Sequence, residues 1–399
     1  MAPEYLPGNR LRLLNSSAEY FPALLKAIDG AEQEIFLESY IFANDEIGHE
    51  VASALCQAAA RGVEVNVTVD GFGARNFTQD FLPRLKAAGV RAMLYRPEIG
   101  AFHIRRHRLR RLHRKLVVID GRLAFVGGIN VLSDDSTPST IPHYDYAVRV
   151  EGPVLGQIHH AVRRMWEIVS WANFKRRFRG PSRTSPLRQI AGTQQCAFVI
   201  RDNIRHRNDI LHAYIDAINA ADREILIANA YFMPGVRFGR ALYAAAKRGV
   251  KITVLLQGKT DHPLLRYATQ ALYAAGLRAG IRIFEYEKCF LHAKVAVIDG
   301  QWATVGSSNI DPFSLLLAKE ANLLVRDATF SEELRASLLA AIDEGGREMR
   351  AEDIATLPWR SRFVRWLSYG LVRAMVGIAG YGHKHWQKDE TADSRLPER

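Results

Sequence analysis

The chain has 399 residues, 48% of them hydrophobic, which is enough for two domains with filled cores and argues against disorder over most of its length. Its 54 basic residues against 42 acidic ones give a formal charge of +12, which favours anionic partners: nucleic acid, an acidic membrane surface or phosphorylated substrates. The basic residues are 42 Arg to 12 Lys, however, a skew that an arginine-rich codon usage produces by itself, and the three cysteines (Cys56, Cys196, Cys289) have neither the number for a disulfide framework nor the spacing of a zinc site.

The start, MAPEYLPGNRLRLL, lacks the basic head and apolar core of an export signal, and no window reaches the roughly eighteen apolar residues of a membrane span. Glu34-Ile35-Phe36-Leu37 then reads as a strand, followed by Tyr40-Ile41-Phe42. VASALCQAAARG (51–62) has helical spacing and a closing glycine suited to a C-cap, and Arg61-Gly62-Val63 leads into the alternating strand EVNVTVDG. Ala87-Ala88-Gly89-Val90 precedes another short β-type run. The basic stretch His103–Arg111 comes next, and then RLHRKLVVIDG, Arg111 to Gly121, which puts a histidine and a lysine ahead of an apolar run ending in Asp-Gly. HYDYAVRVEGP and the basic helix candidate RRMWEIVSWANFKRRFRG close this half, and GPSRTSP (180–186) reads as a boundary.

The second half repeats the order. Glu224-Ile225-Leu226-Ile227 with Tyr231-Phe232, the helical GRALYAAAKRG (239–249), KITVLLQG, Ala274-Ala275-Gly276-Leu277 and FLHAKVAVIDG (290–300) follow one another, with His292 standing 179 residues after His113. The β-α-β-α alternation predicts two similar α/β lobes that face each other. Residues 1–180 and 187–345 form the lobes in this reading, with a tail over 346–399. From Gly89 to His113 is 24 residues but from Gly276 to His292 only 16, so the first copy is expected to carry about eight extra residues, a basic loop beside its motif.

On a strand, His113 and Lys115 share a face, as do His292 and Lys294, so two lobes about a pseudo-twofold axis would bring two imidazoles and two ammonium groups into one cleft. That set suits phosphodiester chemistry with no cofactor or metal: the lysines offset phosphoryl charge, one histidine attacks phosphorus and the other protonates the leaving oxygen. Asp120 and Asp299 have the opposite parity and read as ending their strands with Gly121 and Gly300, or as supports. Gly127, Gly128 and Asn130 follow Asp120 at the offsets at which Gly306, Ser307 and Asn309 follow Asp299, which suggests a turn that aims amide donors at an anion. Asp145 in HYDYAVRVEGP and Glu320 in AKEANLLV are placed to orient an imidazole through its second nitrogen.

H-x-K-x4-D with a following G-[GS]-x-N, twice, resembles the duplicated motif of the phospholipase D superfamily, and the likeness runs from residue 9 to about 345. RLHRKLVVIDGRLAFVGGIN, YDYAVRVEGP, NAYFMPG and LHAKVAVIDGQWATVGSSNIDP are most similar to bacterial cardiolipin synthases of the shorter B type. The resemblance implies two α/β/α sandwich lobes related by a pseudo-twofold axis and transfer of a phosphatidyl group from one phosphatidylglycerol to another through a phosphohistidine. It implies a catalytic set of His113, Lys115, Asp120, His292, Lys294 and Asp299, with Asn130, Asn309, Asp145, Glu320 and Ser307 supporting it. It gives attack to His113 and proton donation to His292, although the near symmetry of the motifs allows the reverse. Gly128 stands where many members carry Ser, as Ser307 does, so the half-sites are expected to differ. Implied partners are phosphatidylglycerol and an anionic bacterial membrane, met peripherally from the cytoplasmic side, with no nucleic acid or obligate protein partner. A hydrolase or a metal-independent nuclease would use the same residues.

WRSRFVRWLSYGLVRAMVGIAGY, Trp359 to Tyr381, wound as a helix sets Arg362, Arg365 and Arg373 apart from Phe363, Leu367, Leu371, Ile378 and Tyr381, with Trp366 at the edge. Such a helix suits an anionic bilayer interface or a place on the protein's own core. The basic loop could grip lipid phosphates, follow a nucleic-acid backbone or be solvated, and QKDETADSRLPER is expected to be disordered.

Overall fold

The computed structural model describes residues 2–96, 110–133, 143–174, 183–186, 189–202, 205–259, 263–311, 314 and 318–378, with side chains through Met375. The basic stretch 103–109, Ile378 as a side chain, Tyr381 and the C-terminal QKDETADSRLPER lie outside these residues. The first half runs β1 (Leu6–Asn15), α1 (Ser16–Asp29), β2 (Glu34–Ser39), α2 (Glu46–Ala60), β3 (Glu64–Asp70), α3 (Phe77–Asp80), α4 (Leu82–Ala87), β4 (Arg91–Tyr95), β5 (Lys115–Ile119), β6 (Leu123–Gly127), β7 (His143–Tyr144), β8 (Tyr146–Glu151) and α5 (Leu155–Ala172). The second runs β9 (Gln194–Arg201), α6 (Asp209–Asn219), β10 (Glu224–Asn229), α7 (Val236–Lys247), β11 (Lys251–Gln257), α8 (Pro263–Gln270), α9 (Tyr273–Arg278), β12 (Arg282–Tyr286), β13 (Phe290–Leu291), β14 (Lys294–Ile298), β15 (Trp302–Gly306), β16 (Glu320–Arg326), α10 (Ala328–Gly345) and β17 (Gly346–Met349).

The strand orders match: β4-β3-β2-β5-β6-β8-β1 in one half, β17-β12-β11-β10-β14-β15-β16-β9 in the other, joined edge to edge by antiparallel pairing of β1 with β9. In each half three strands run parallel across helical crossovers and the motif strand meets them antiparallel, Ile35 opposite Ile119 and Ile225 opposite Ile298. Both faces are covered, so β2, β5, β14 and β15 are buried at every position, and the centres of β2, β5 and β14 read as apolar runs rather than alternations. One apolar cluster, with Leu116, Val126, Val148, Val295, Val305 and Leu323, is shared by both halves and roofed by α5 and α10. Separate clusters fill the outer faces.

Two expectations change. Gly276 lies inside α9, and the counterpart of Gly89 (φ 87°) is Gly280 (φ 82°), each closing a helix before a strand; 24 residues from Gly89 to His113 thus answer to 12 from Gly280 to His292. The first-half insert is therefore longer than the local Ala-Ala-Gly match suggests. Gly346–Met349, assigned to the tail by sequence, pairs with β12 as an edge strand, Ile283 opposite Met349.

Asp120 and Asp299 sit in the tight turns that join β5 to β6 and β14 to β15. They adopt left-handed φ of 52° and 53°, are followed by Gly121 and Gly300 at 61° and 64°, and Arg122 and Gln301 close the turns onto Ile119 and Ile298. Two consecutive left-handed residues make the turn whose twist suits a hairpin, and Asp tolerates the first position where most side chains do not. The carboxylate is put to structural use. That of Asp120 accepts the backbone N–H groups of Glu32, Gln33 and Glu34 at 2.8–2.9 Å, and that of Asp299 those of Asp222, Arg223 and Glu224 at 2.8 Å.

Candidate active site

The site is built at the carboxyl ends of the parallel strands, where open α/β sheets place their ligands. At the end of β3, Asp70 accepts the N–H of Leu112 at 2.8 Å; at the end of β11, the Gln257 side-chain oxygen accepts that of Leu291 at 3.0 Å. Each motif strand is thereby clipped to its own half one residue before its histidine. The next contacts cross to the other half. Leu112 bridges Lys319 and Leu291 pairs with Tyr144, each in parallel, so that His113 N–H donates to the Lys319 carbonyl and His292 N–H to that of Tyr144, both at 2.9 Å.

The residues after those carbonyls are the two acids. Glu320 lies 3.0 Å from His113 Nδ1 with both oxygens, and Asp145 Oδ2 lies 2.6 Å from His292 Nδ1. Each imidazole is therefore held by the acid of the opposite half, a pairing that spacing along the chain does not reveal. With Nδ1 held, Nε2 is the ring nitrogen left for chemistry. The histidines stand just before their strands rather than within them: β5 and β14 begin at Lys115 and Lys294, whose ammonium groups turn back to the carbonyls of His113 and His292. Lys294 also lies 3.6 Å from Asp145, and the Tyr40 ring covers both His113 and the Lys115 ammonium, at 4.9 and 5.4 Å.

Burial sets the electrostatics. It lowers His113 below the usual imidazole value, Glu320 opposing the fall and Lys115 and Lys294 adding to it. His292 falls further, through burial together with the charges of Lys294 and Lys115. Burial also pushes the Lys115 ammonium down to about 7, against the attraction of Glu320. The acids part company. Burial raises Asp145 despite Lys294 and the Tyr146 N–H, whereas for Glu320 the effect of burial is outweighed by His113, Lys115 and the Ser307 hydroxyl, and its carboxyl ends below the usual range. Each oxygen of Glu320 also accepts a hydroxyl, from Ser307 at 2.6 Å and from Ser314 at 2.5 Å.

A model of the cardiolipin synthase, phospholipase D-like domain matches residues 24–166 and 214–341. The chain is 38% identical over 389 residues to cardiolipin synthase B of Shigella flexneri and 37% identical to that of Escherichia coli K12, in each case across 95% of this chain and 91% of the relative. The chain belongs to the cardiolipin synthase family. As a member of that family it is an enzyme, and the phospholipase D-like architecture is shared with a phosphatidylserine synthase from Haemophilus influenzae, which superposes with a TM-score of 0.66 at 13% identity over 93% of this chain and 96% of that one.

Of the residues in the family motif, His113, Lys115, His292 and Lys294 come together with Asp145, Glu320 and Ser307. Asp120 and Asp299 do not, being held in turns at the far ends of β5 and β14. Asn130 borders a small pocket with His143, Asp145 and His292, and its oxygen accepts the Ile41 N–H at 3.2 Å. Asn309 is buried nearby, its own N–H donated to Ser314. The N–H groups of Gly128 and Ser307 are not aimed at an anion, being spent on the carbonyls of Tyr146 and Ala321. Sequence reasoning missed Asp70, Gln257, Tyr40 and Ser314. The first two occupy matching places in EVNVTVDG and KITVLLQG, a signal present in the repeat.

Gly128 explains its own departure from the motif. A Cβ there would stand 2.3 Å from Asp145 Oδ1, where Ser307 in the other half has room to donate to the longer Glu320. Gly128→Ser, although it restores the commoner residue, is expected to displace Asp145, misalign His292 and lower kcat by about 10²-fold with little loss of fold. Unchanged turnover in that variant would show that the carboxylate tolerates the movement.

Proposed function

We propose that the chain is a cardiolipin synthase in the strict sense, moving a phosphatidyl group from one phosphatidylglycerol to the hydroxyl of a second and releasing glycerol. The observation that carries this reading is the pair of crossed imidazole–carboxylate contacts, which set two basic nitrogens in one cleft beside two lysines. In the first displacement, Nε2 of one imidazole bonds to phosphorus as the glycerol oxygen leaves and takes a proton from the other. In the second, the now neutral partner accepts the proton of the incoming glycerol hydroxyl, whose oxygen attacks the phosphohistidine. Lys115 and Lys294 offset the charge on the phosphoryl oxygens in a dry site, where an ammonium group acts more strongly than in water. The family resemblance gives attack to His113. In the free site His113 is the easier of the two to protonate, because Glu320 faces it with both oxygens. The proton therefore belongs to the coupled pair, and arrival of the anionic phosphodiester favours its uptake.

The second support is at the surface. No helix among the described residues is long and apolar enough to cross a membrane. The C-terminal helix, Trp359–Ile378, docks on α8 through Ser368, Tyr369 and Val372, and Arg365 is half-buried on that side rather than with the exposed arginines. Its outward face leaves Trp359, Phe363, Trp366, Leu367, Leu371 and Met375 exposed beside Arg360, Arg362 and Arg373. The helix thus combines a narrow seam on the protein with a broad apolar face, flanked by arginines, that would suit anionic headgroups. That face fits peripheral attachment to the cell membrane.

Incubation with phosphatidylglycerol vesicles is expected to yield cardiolipin and glycerol by mass spectrometry, and His113→Ala or His292→Ala to lower the rate by at least about 10³-fold while the fold persists. Phosphatidic acid as the sole product would make the protein a hydrolase. Because burial brings Lys115 to about 7, its charge is lost as pH rises through that value, and kcat/KM is expected to decline on the alkaline side. Lys115→Arg, whose guanidinium stays charged, should move that limb upward even as the rate falls; an unmoved limb would remove Lys115 from the titration. Trp366→Glu with Leu367→Glu is expected to cut co-sedimentation with anionic vesicles about tenfold, and unchanged binding would rule out the interfacial role.

A further inference from the structure

The duplication offers an internal comparison, because matching positions share surroundings and a difference confined to one half marks something gained or lost. Lys319 and Tyr144 match: each carbonyl accepts a histidine N–H from the other half, and each residue precedes an acid. The Tyr144 side chain fills its surroundings. Its hydroxyl lies 2.6 Å from that of Tyr146 and 3.2 Å from that of Ser337 on α10, and its ring stands 5.5 Å from Tyr286 on β12. At the corresponding place between β4, α5 and β9 stands Lys319, and among the described residues the space is open. A cavity of about 510 Å³ reaches it there. Its lining differs again from the other half at Arg114, which forms a buried pair with Glu38 at 2.7 and 2.8 Å, where the matching positions are Ala293 and Ala228.

The cavity is two-sided in chemistry. Met165 and Ile168 on α5 and Phe198 and Ile200 on β9 give it an apolar wall, while Arg96, Arg164 and Lys319 face the same space, and Asp202 is its one carboxylate among the described residues. The Lys319 ammonium has no hydrogen-bond or ion-pair partner among the described residues. Burial together with Arg114 and Arg96 brings its ammonium down to about 8, the condition of a cation short of an anion. The mouth is placed for a bilayer. Asn173, just past α5, donates to the Leu94 carbonyl on β4, so the end of α5 lies at the carboxyl end of the strands, as the histidines do. There Ile168, Trp171 and Phe174 are 43%, 69% and 91% exposed. A free phosphate or a nucleic-acid backbone would leave that apolar wall in water, whereas a molecule with a phosphate and an acyl chain satisfies both sides.

We infer that this cavity is a second phospholipid site, separate from the histidine cleft, that takes an anionic phospholipid with its phosphate on Lys319, Arg96 and Arg164 and an acyl chain along Met165, Ile168, Phe198 and Ile200. The site does not depend on which reaction the histidines perform. It is tested with the full chain on phosphatidylcholine vesicles doped with phosphatidylglycerol that carries a diazirine on one acyl chain, by photolysis, digestion and mapping of the labelled peptides. Label is expected in 165–172 and 196–201, and Arg164→Glu and Ile168→Asp, both at exposed positions, should each reduce it there at least fivefold while label elsewhere persists. Melting temperatures checked in parallel exclude unfolding. The inference is overturned if those peptides carry no label, if neither variant changes it, if diazirine-bearing phosphatidylcholine labels them equally, or if inorganic phosphate or an oligonucleotide displaces the label as well as phosphatidylglycerol does.

Discussion

The arrangement depends on one exchange between halves: a histidine N–H given to the carbonyl that precedes the opposite acid, and the acid returned to that histidine's ring. The backbone bond fixes where the imidazole stands, and the carboxylate fixes which nitrogen faces outward. A small shift of one half against the other therefore alters four hydrogen bonds at once. The shared apolar cluster under α5 and α10 and the β1–β9 seam serve the chemistry by holding that relation still.

Electrostatics build on the same exchange. Placing both imidazoles, both lysines and both acids out of water leaves the favoured charge state balanced against burial, and the two acids answer differently: His113, Lys115 and the Ser307 hydroxyl outweigh burial at Glu320, whereas burial prevails at Asp145. The halves are matched in backbone and unequal in charge. A symmetric scaffold thus gives the two imidazoles unequal surroundings, burial and the neighbouring lysines lowering His292 further than His113.

Much of this was legible from the chain, and the rest was hidden for identifiable reasons. The repeat, the His-x-Lys pairs and the two acids stand out because their offsets recur in order. The crossing of the acids does not, since offsets within a half say nothing about which half a side chain reaches. Asp120 lies in the motif by spacing, yet its left-handed turn and its three amide donors become visible only when β2 is seen beside β5. Gly276 misled by local likeness. An alanine-rich helix can supply Ala-Ala-Gly without ending there, and only the φ of Gly280 identifies the true helix end. The C-terminal helix showed its amphipathic pattern, but no periodicity announces that Arg365 would face α8.

The joining of the halves into one chain has a consequence of its own. Two identical copies assembled about a true twofold axis would have to carry the same residue at both members of every related pair. Glycine against aspartate on one side and serine against glutamate on the other would then be forbidden, as would a packed tyrosine in one half where the other has Lys319 beside a cavity. Covalent fusion lifts that restriction, so each half can change alone while their common frame remains.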